Sequence, residues 1–375
     1  MHTMARRTGL VILMLALPAP AGALAGTDRS ECTGQWIPLL DTDPDHPKTI
    51  SGDSNAAYAA YSFWGDPSKK FLLQGKFPFA RFFSVESNKT RWGFQVDAIF
   101  DFQMQADPGS QNPFQNGVAL QTPQRAFSLE VLPPGAPARL ANSLRLGDGT
   151  IQQSLLLRIY SPDPGVTISP ADLPRIFAQD AATGEPVDCP DPAPLKLTLD
   201  LPEGLEAPVR RKSVFDFMNI QVPWGPNSAI PAYLGAAERM DADEVAVIRF
   251  KAPRPFDPSV TIFSDQSEVR YWSLCSENLP KLITLNCLPD SLAKVDSMGF
   301  VTVAFGTGDA VRQAANRFGY TYLEDKRAPD QRVAMFAYRN VLPSAAFQAG
   351  SLYQGDYRPE GALCDRGDFI SGQCP

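Results

Sequence analysis

"ARFFSVESN" at residues 80–88 and "VRYWSLCSEN" at 269–278 are nearly the same phrase, written twice about 190 residues apart. Around each lies a longer match in the same order. An Asn (Asn55, Asn227) is followed six residues on by a Tyr (Tyr61, Tyr233), then by an apolar run. A basic-x-Pro step comes next, Lys76-Phe77-Pro78 or Lys251-Ala252-Pro253. The run Arg-aromatic-aromatic-Ser closes the set, as Arg81-Phe82-Phe83-Ser84 and Arg270-Tyr271-Trp272-Ser273. Strand composition alone could imitate four of these residues, but a longer ordered series argues for duplication.

The rest of the chain supports a strand-built unit. "SLLLRIYS", "AFSLEVLP", "EVAVIRFKAP", "GFVTVAFG" and "RVAMFAYRN" are short alternating or apolar runs between Pro, Gly, Asn and Asp clusters, the pattern of antiparallel strands. With 35 prolines long helices are disfavoured. The spacing predicts one helix in "GDAVRQAANRFG", with Asp309 as N-cap and Gly319 as stop. Short helical turns are expected at 343–350 and 171–182. The fold class expected is mainly β, as two tandem pseudo-repeated antiparallel β-sandwich or jelly-roll-like domains with a few short helices. The domains are placed at 26–165 and 213–375, joined by a Pro- and Asp-rich connector at 166–212.

Residues 1–25 read as a signal peptide: Arg6 and Arg7, an apolar core, and Ala23-Leu24-Ala25 as the cleavage site. The core is shorter than the roughly 18 apolar residues of a spanning helix. The expected mature chain is periplasmic or secreted. The formal charge of −7 becomes −9 once Arg6 and Arg7 are removed, which argues against nucleic acid as a partner. Six cysteines in an exported chain read as disulfides, with about 15 possible connectivities. Proximity suggests Cys275 with Cys287 and Cys364 with Cys374, which leaves Cys32 with Cys189.

The two histidines are His2, lost with the signal, and His46, in an acidic turn. Ser-His-Asp and Cys-His catalysis and His-ligated zinc are thereby excluded. No cofactor or metal is expected. Asp41, Asp43 and Asp45 imitate the start of a calcium loop, but His46 and Gly52 stand where that loop needs Gly and Glu. "SLAK" at 291–294 lacks the partners that would make it a catalytic motif.

Side chains alternate along a strand, so each copy sets an arginine (Arg81, Arg270) on the face of its large apolar groups. The favoured reading is an internal ion pair, and the rival is an anion-binding site at a sandwich mouth. Where the second copy has Cys275 and Cys287, the first is expected to hold Glu86 and Asp97 facing one another, pointing into water in the favoured reading, or else sharing a proton or holding a cation. "DPGSQNPFQNG" (107–117) offers Asp107, Gln111, Asn112 and Phe114 as hydrogen-bonding groups and an apolar platform for a small polar ligand, or as a plain turn.

"VIRFKAPRPF", "VRYWSLCSEN", "NCLPDSLAKVDSMGFVTVAF" and "AYRNVLPSAAF", with "GKFPFARFFS" and "DPGSQNPF", resemble a family of uncharacterised bacterial secreted proteins. That family is similar to the tandem domains of unknown function of bacterial envelope proteins, whose C-terminal unit is jelly-roll-like. The segment "YTYLEDKRAPD" at 320–330 departs from the family's Trp-rich wording there. The resemblance implies fold and compartment and carries no reaction. The expected role is non-catalytic binding of a small molecule, glycan or envelope component. One rival is a histidine-independent glycan hydrolase or lyase drawing on Glu86, Asp97, Asp101, Tyr271 and Arg81. Another is a structural part of a surface assembly.

Overall fold

Period-two burial builds the sheets. In β8 (Gln152–Pro162), Gln153, Leu155, Leu157 and Ile159 are buried while the residues between them are half-buried, so one face of the strand carries the core. The protein was analysed as a computed structural model, which describes residues 29–40, 52–89, 94–136, 141–163, 165–195, 214–219, 231–255, 267–278 and 283–374. The expected signal segment and Asp41, Asp43, Asp45 and His46 lie outside the described residues.

The N-terminal strands are β1 (Ile37–Leu40), β2 (Ala56–Trp64), β3 (Lys69–Lys76), β4 (Ala80–Lys89), β5 (Phe94–Phe100), β6 (Ala126–Leu132), β7 (Ser143–Arg145), β8 and β9 (Arg175–Asp180). The C-terminal strands are β10 (Val214–Asp216), β11 (Met218–Asn219), β12 (Pro231–Arg239), β13 (Glu244–Lys251), β14 (Tyr271–Asn278), β15 (Ile283–Pro289), β16 (Phe300–Gly306), β17 (Thr321–Glu324), β18 (Val333–Val341) and β19 (Glu360–Asp365). The first half forms sheets of order β1-β2-β8-β4-β5 and β7-β6-β3-β9. The second forms β11-β12-β18-β14-β15 and β10-β19-β13-β16-β17. Adding ten to each strand number of the first half reproduces the second, with β10 as one extra edge strand. Even the exceptions coincide: β6 with β7 and β16 with β17 are parallel pairs among antiparallel ones.

Each half has its own apolar core. Tyr61, Phe63, Phe71, Leu73, Phe83, Phe127, Leu157 and Ile176, from both N-terminal sheets, form one. Phe215, Ile248, Phe250, Trp272, Val303, Phe336 and Tyr338 belong to the other. A third, smaller cluster draws on both halves: Tyr58, Phe82 and Tyr160 with Tyr271 and Val341.

Register corrects several sequence readings. Tyr58 lies opposite Arg158, which lies opposite Ser84, and Tyr233 lies opposite Arg339, which lies opposite Ser273. Tyr233 therefore stands in the place of Tyr58, three residues before the expected Tyr61. In the stretch 171–182 a short 3-10 turn (Pro170–Asp172) forms only at the start, and Arg175–Asp180 is a strand, because "RIFAQD" alternates and buries Ile176 and Ala178. Although it falls in the stretch expected to be a connector, β9 pairs with β3 along its length. Helix α1 (Asp309–Arg317) forms where predicted, with Gly308 rather than Asp309 as N-cap. Gly319 ends it at φ +77°, a conformation glycine adopts without strain. Helix α2 (Ala345–Gly350) is capped by the Ser344 side chain, and α3 (Arg366–Ser371) follows β19.

All three disulfides form in the pairing proximity and elimination gave: Cys32–Cys189, Cys275–Cys287 and Cys364–Cys374. Cys32–Cys189 closes a loop of 157 residues and Cys364–Cys374 one of 10. Loop entropy then makes the first the more stabilising, by about 5 kcal/mol against about 3 for the second. The Cys32→Ala/Cys189→Ala variant is expected to show the larger fall in urea midpoint, and an equal or smaller fall than Cys364→Ala/Cys374→Ala would refute this.

Candidate functional site

The two repeated arginines meet carboxylates of the opposite half. Arg81, at the start of β4, reaches both carboxylate oxygens of Asp290 through Nη1, at 2.5 and 2.6 Å. Arg270, just before β14, reaches both oxygens of Asp101 through Nη2, at 2.9 Å each, and its Nε donates to the Arg81 carbonyl. Each aspartate follows the last strand of its own hairpin. Asp101 accepts the Phe83 N–H and Asp290 accepts the Trp272 N–H, two residues beyond the arginine of its own half. Each carboxylate is thus held by its own half and neutralised by the other. The exchange is reciprocal.

The Arg270–Asp101 pair is wholly shielded from solvent. Burial pushes the Asp101 carboxyl up, against the Arg270 charge and the N–H donors of Phe83 and Phe102. Burial likewise pulls the Arg270 guanidinium down, against Asp101. Asp290 is raised by burial too, with Arg81 opposing. Such a pair adds little net stability, but removing one partner strands the other charge.

A second layer adjoins it. Arg158 pairs with Glu86 at 2.9 Å and Arg339 with Glu277 at 2.6 Å. The Tyr271 hydroxyl donates to Asp53 at 2.8 Å, and Tyr58 donates to Tyr160 at 2.5 Å. Residues 52–54 then dock on the C-terminal hairpin: the Gly52 N–H donates to Thr284 Oγ1 and the Ser54 N–H to the Cys287 sulfur. Asp53, Cys275 and Cys287 place ligand atoms within 4.8 Å of one another, the one such group among the described residues. Both sulfurs are spent in a disulfide, so the group is not a metal-binding set.

This arrangement accounts for the sequence candidates. Glu86, Asp101 and Tyr271 are buried in these pairs. Glu86 faces Ala98, and Asp97 faces Ser87, so the expected facing carboxylates do not form. The bulge between Ser87 and Asn88 lies beyond that point, so the plain antiparallel count sets the pairing. Asp97 accepts from the Arg145 N–H. The 107–117 loop works inward. Asn112 is buried and donates to the carbonyls of Asp101 and Met104. The Phe114 ring is buried under the Arg270 guanidinium at 5.7 Å. Gln111 accepts from Thr122 and Asp107 from Ser128. Asn112 and Phe114 brace the charge lock and are committed to the fold, whereas Gln111 stays exposed and Asp107 half-buried.

Among the described residues an accessible polar cleft lies elsewhere, on the outer face of the β10-β19-β13-β16-β17 sheet, and sequence reading did not point to it. Arg249 on β13 stands directly between Thr302 and Glu360 of the neighbouring strands, and its guanidinium covers the Phe300 ring at 4.3 Å. The segment 353–358 rises beside this face and, with it, encloses a cleft of 570 Å³ lined by Arg249, Phe300, Tyr353, Asp356, Arg358 and Glu360, among others. Arg249 and Arg358 are about half exposed, with loose partners: Asp296 at 3.7 Å and Asp216 at 3.4 Å. Exposed pairs at such distances are worth little and can be exchanged for ligand contacts. The one sequence signal was an arginine at an outward position of an otherwise apolar run, which is common on any solvated strand.

The charge lock sets a stability difference. Arg270→Met is expected to cost about 3–5 kcal/mol, because Asp101 is left buried and unpaired. Adding Asp101→Asn is expected to recover part of that loss, since the amide oxygen still accepts an N–H without a charge. Urea unfolding of the single and double variants checks this; a double variant less stable than Arg270→Met refutes it.

Comparison with known proteins bears on fold alone. A solved structure of an uncharacterised protein from Burkholderia cenocepacia is similar over 89% of this chain and 83% of that one, at 14% identity and a TM-score of 0.55. A Vibrio parahaemolyticus protein structure aligns over 84% of this chain and 90% of its own, at 11% identity and a TM-score of 0.48. No family model matches the sequence. No curated protein matches it either. The chain is mainly β, with a fold seen in a bacterial protein of unknown function.

Proposed function

We propose that this is an exported protein of two copies of one antiparallel sandwich unit, jelly-roll-like in the second, that binds a small polar molecule, glycan or envelope component without catalysis. The matching strand orders support duplication, as do the places of Arg81 and Arg270, each one residue before a matched ladder pair, Phe82–Tyr160 and Tyr271–Val341. Three disulfides suit an oxidising compartment, as does a signal segment ending near Ala25. No helix among the described residues is long and apolar enough to cross a membrane. The resemblance to secreted bacterial proteins points to the same compartment.

The cleft at Arg249 carries the binding reading. It offers donors (Arg249, Arg358), acceptors (Asp356, Glu360) and aromatic surface (Phe300, Tyr353) within one concavity. A polyhydroxylated ligand uses all three, with hydroxyls bridging donors to acceptors and C–H faces resting on rings. Hydrolysis drawing on Glu86, Asp101 or Tyr271 loses its support, because their buried pairs leave them no path to a substrate.

A thermal-shift screen of the mature protein against soluble glycans, lipids and divalent cations tests this. Glycans are expected to raise the melting temperature of the wild type and not that of Arg249→Ala/Phe300→Ala. At a ligand concentration 100-fold above Kd the gain is about 2.7 kcal/mol, several degrees for a chain of this kind. No shift with any class would sink the binding proposal.

A further inference from the structure

Inside the C-terminal core, three neighbouring polar side chains carry atoms with no well-formed hydrogen bond, although Tyr338 and Asn340 lie close enough to interact with each other. The atoms are the Trp272 indole Nε1, the Tyr338 hydroxyl and both amide atoms of Asn340. Each residue is at most 1% exposed. Asn340 lies directly opposite Trp272 in the β14–β18 ladder, and Tyr338 is two residues along, on the same face. The Trp272 and Tyr338 rings are 6.1 Å apart, and Phe250 closes on them at 5.3 and 4.8 Å.

The first half provides an internal control. There the corresponding ladder positions hold Phe83 opposite Ile159, with Leu157 two residues along, all buried. The correspondence is fixed independently by the aspartate that receives the Phe83 or Trp272 N–H. Hydrocarbon therefore satisfies this position of the fold. The second half has put four hydrogen-bonding atoms where none is needed, and a buried polar atom left unpaired destabilises the fold. Buried polar groups of this kind are met by a bound molecule or an ordered water.

We propose that Trp272, Tyr338 and Asn340 form an internal binding site for a small uncharged hydroxyl-bearing molecule, water or a small alcohol. Trp272 can only donate, so the guest must accept there; Tyr338 and Asn340 can each do both. A charged guest does not fit. The trio carries no formal charge, and the nearest carboxylates are engaged, Asp290 by Arg81 and Glu268 by Arg254 and Tyr357. The site is separate from the cleft: Arg249 points outward from β13 and Phe250, next in sequence, points inward.

A high-resolution crystal structure of mature protein prepared without alcohols or polyols tests it. Density within hydrogen-bond distance of at least two of the three side chains is expected. Mass spectrometry of the solvent extract separates the two guests: a released alcohol, or nothing beyond water. Both support the site. An empty interior, with Tyr338 and Asn340 bonded directly to each other and Trp272 Nε1 on a protein acceptor, overturns it. The variant Trp272→Phe/Tyr338→Leu/Asn340→Ile, which installs the residues of the first half, is expected to fold and to lose the density. Should that variant not fold, Tyr338→Phe serves. Water-oxygen relaxation dispersion, or the extract mass, should then report at least one bound guest fewer, and an unchanged count overturns the proposal.

Discussion

A guanidinium withdrawn from water must be met by a carboxylate, and here each repeated arginine finds its carboxylate on the other half of the molecule. Arg270 with Asp101 and Arg81 with Asp290 are the two arms of that exchange. Each aspartate is also held by an N–H of its own half, so the guanidinium meets a carboxylate whose orientation is fixed from both sides. The constraint spreads outward. The Asn112 amide holds the Asp101 backbone, Phe114 lies under Arg270, and the 52–54 segment is drawn onto the Cys275–Cys287 hairpin. Neither half can shift against the other without uncovering a charge.

The same constraint separates structural from available polar groups. Charges in the lock are buried, Arg81 alone keeping partial exposure, and each guanidinium meets both oxygens of its aspartate, so a ligand could displace them only by leaving a charge unpaired. The arginines of the outer cleft are half exposed and loosely partnered, at 3.7 and 3.4 Å, and solvent competes for both pairs. A residue type that looks chemical in a sequence can therefore be inert in the fold, while an unremarked surface arginine is free to act.

How much of this could be read from the chain follows from the range of the interactions. Strands announce themselves by local alternation, so β6, β8, β13, β16 and β18 were legible, as were helix α1 and the nearby cysteine pairs. "RIFAQD" was not, since six residues fit a turn of helix as well as a strand until β3 supplies the neighbour. An internal ion pair was the favoured reading of the arginines. Their partners were not legible: Asp290 is 209 residues from Arg81 and Asp101 is 169 from Arg270. Asp101 consequently read as a catalytic acid. The cleft left almost no trace, because its walls come from β13, β16 and the 353–358 segment, each unremarkable by itself.

The two halves differ at one matched position, and the charge pairing adjusts to the difference. Arg158 and Arg339 occupy the same ladder place, opposite Ser84 and Ser273. In the first half the residue two beyond that serine is Glu86, and Arg158 pairs with it. In the second half that place is Cys275, committed to Cys287, so no carboxylate is available there. Arg339 is only 1% exposed and cannot stay unpaired; it pairs instead with Glu277, two residues further on. The side-chain period of a strand is two, so the substitute had to be two residues away to reach the same face. A disulfide thus stands in the second half where the first has a carboxylate, and the arginine is still paired because the strand offers Glu277 at the next position on the same face.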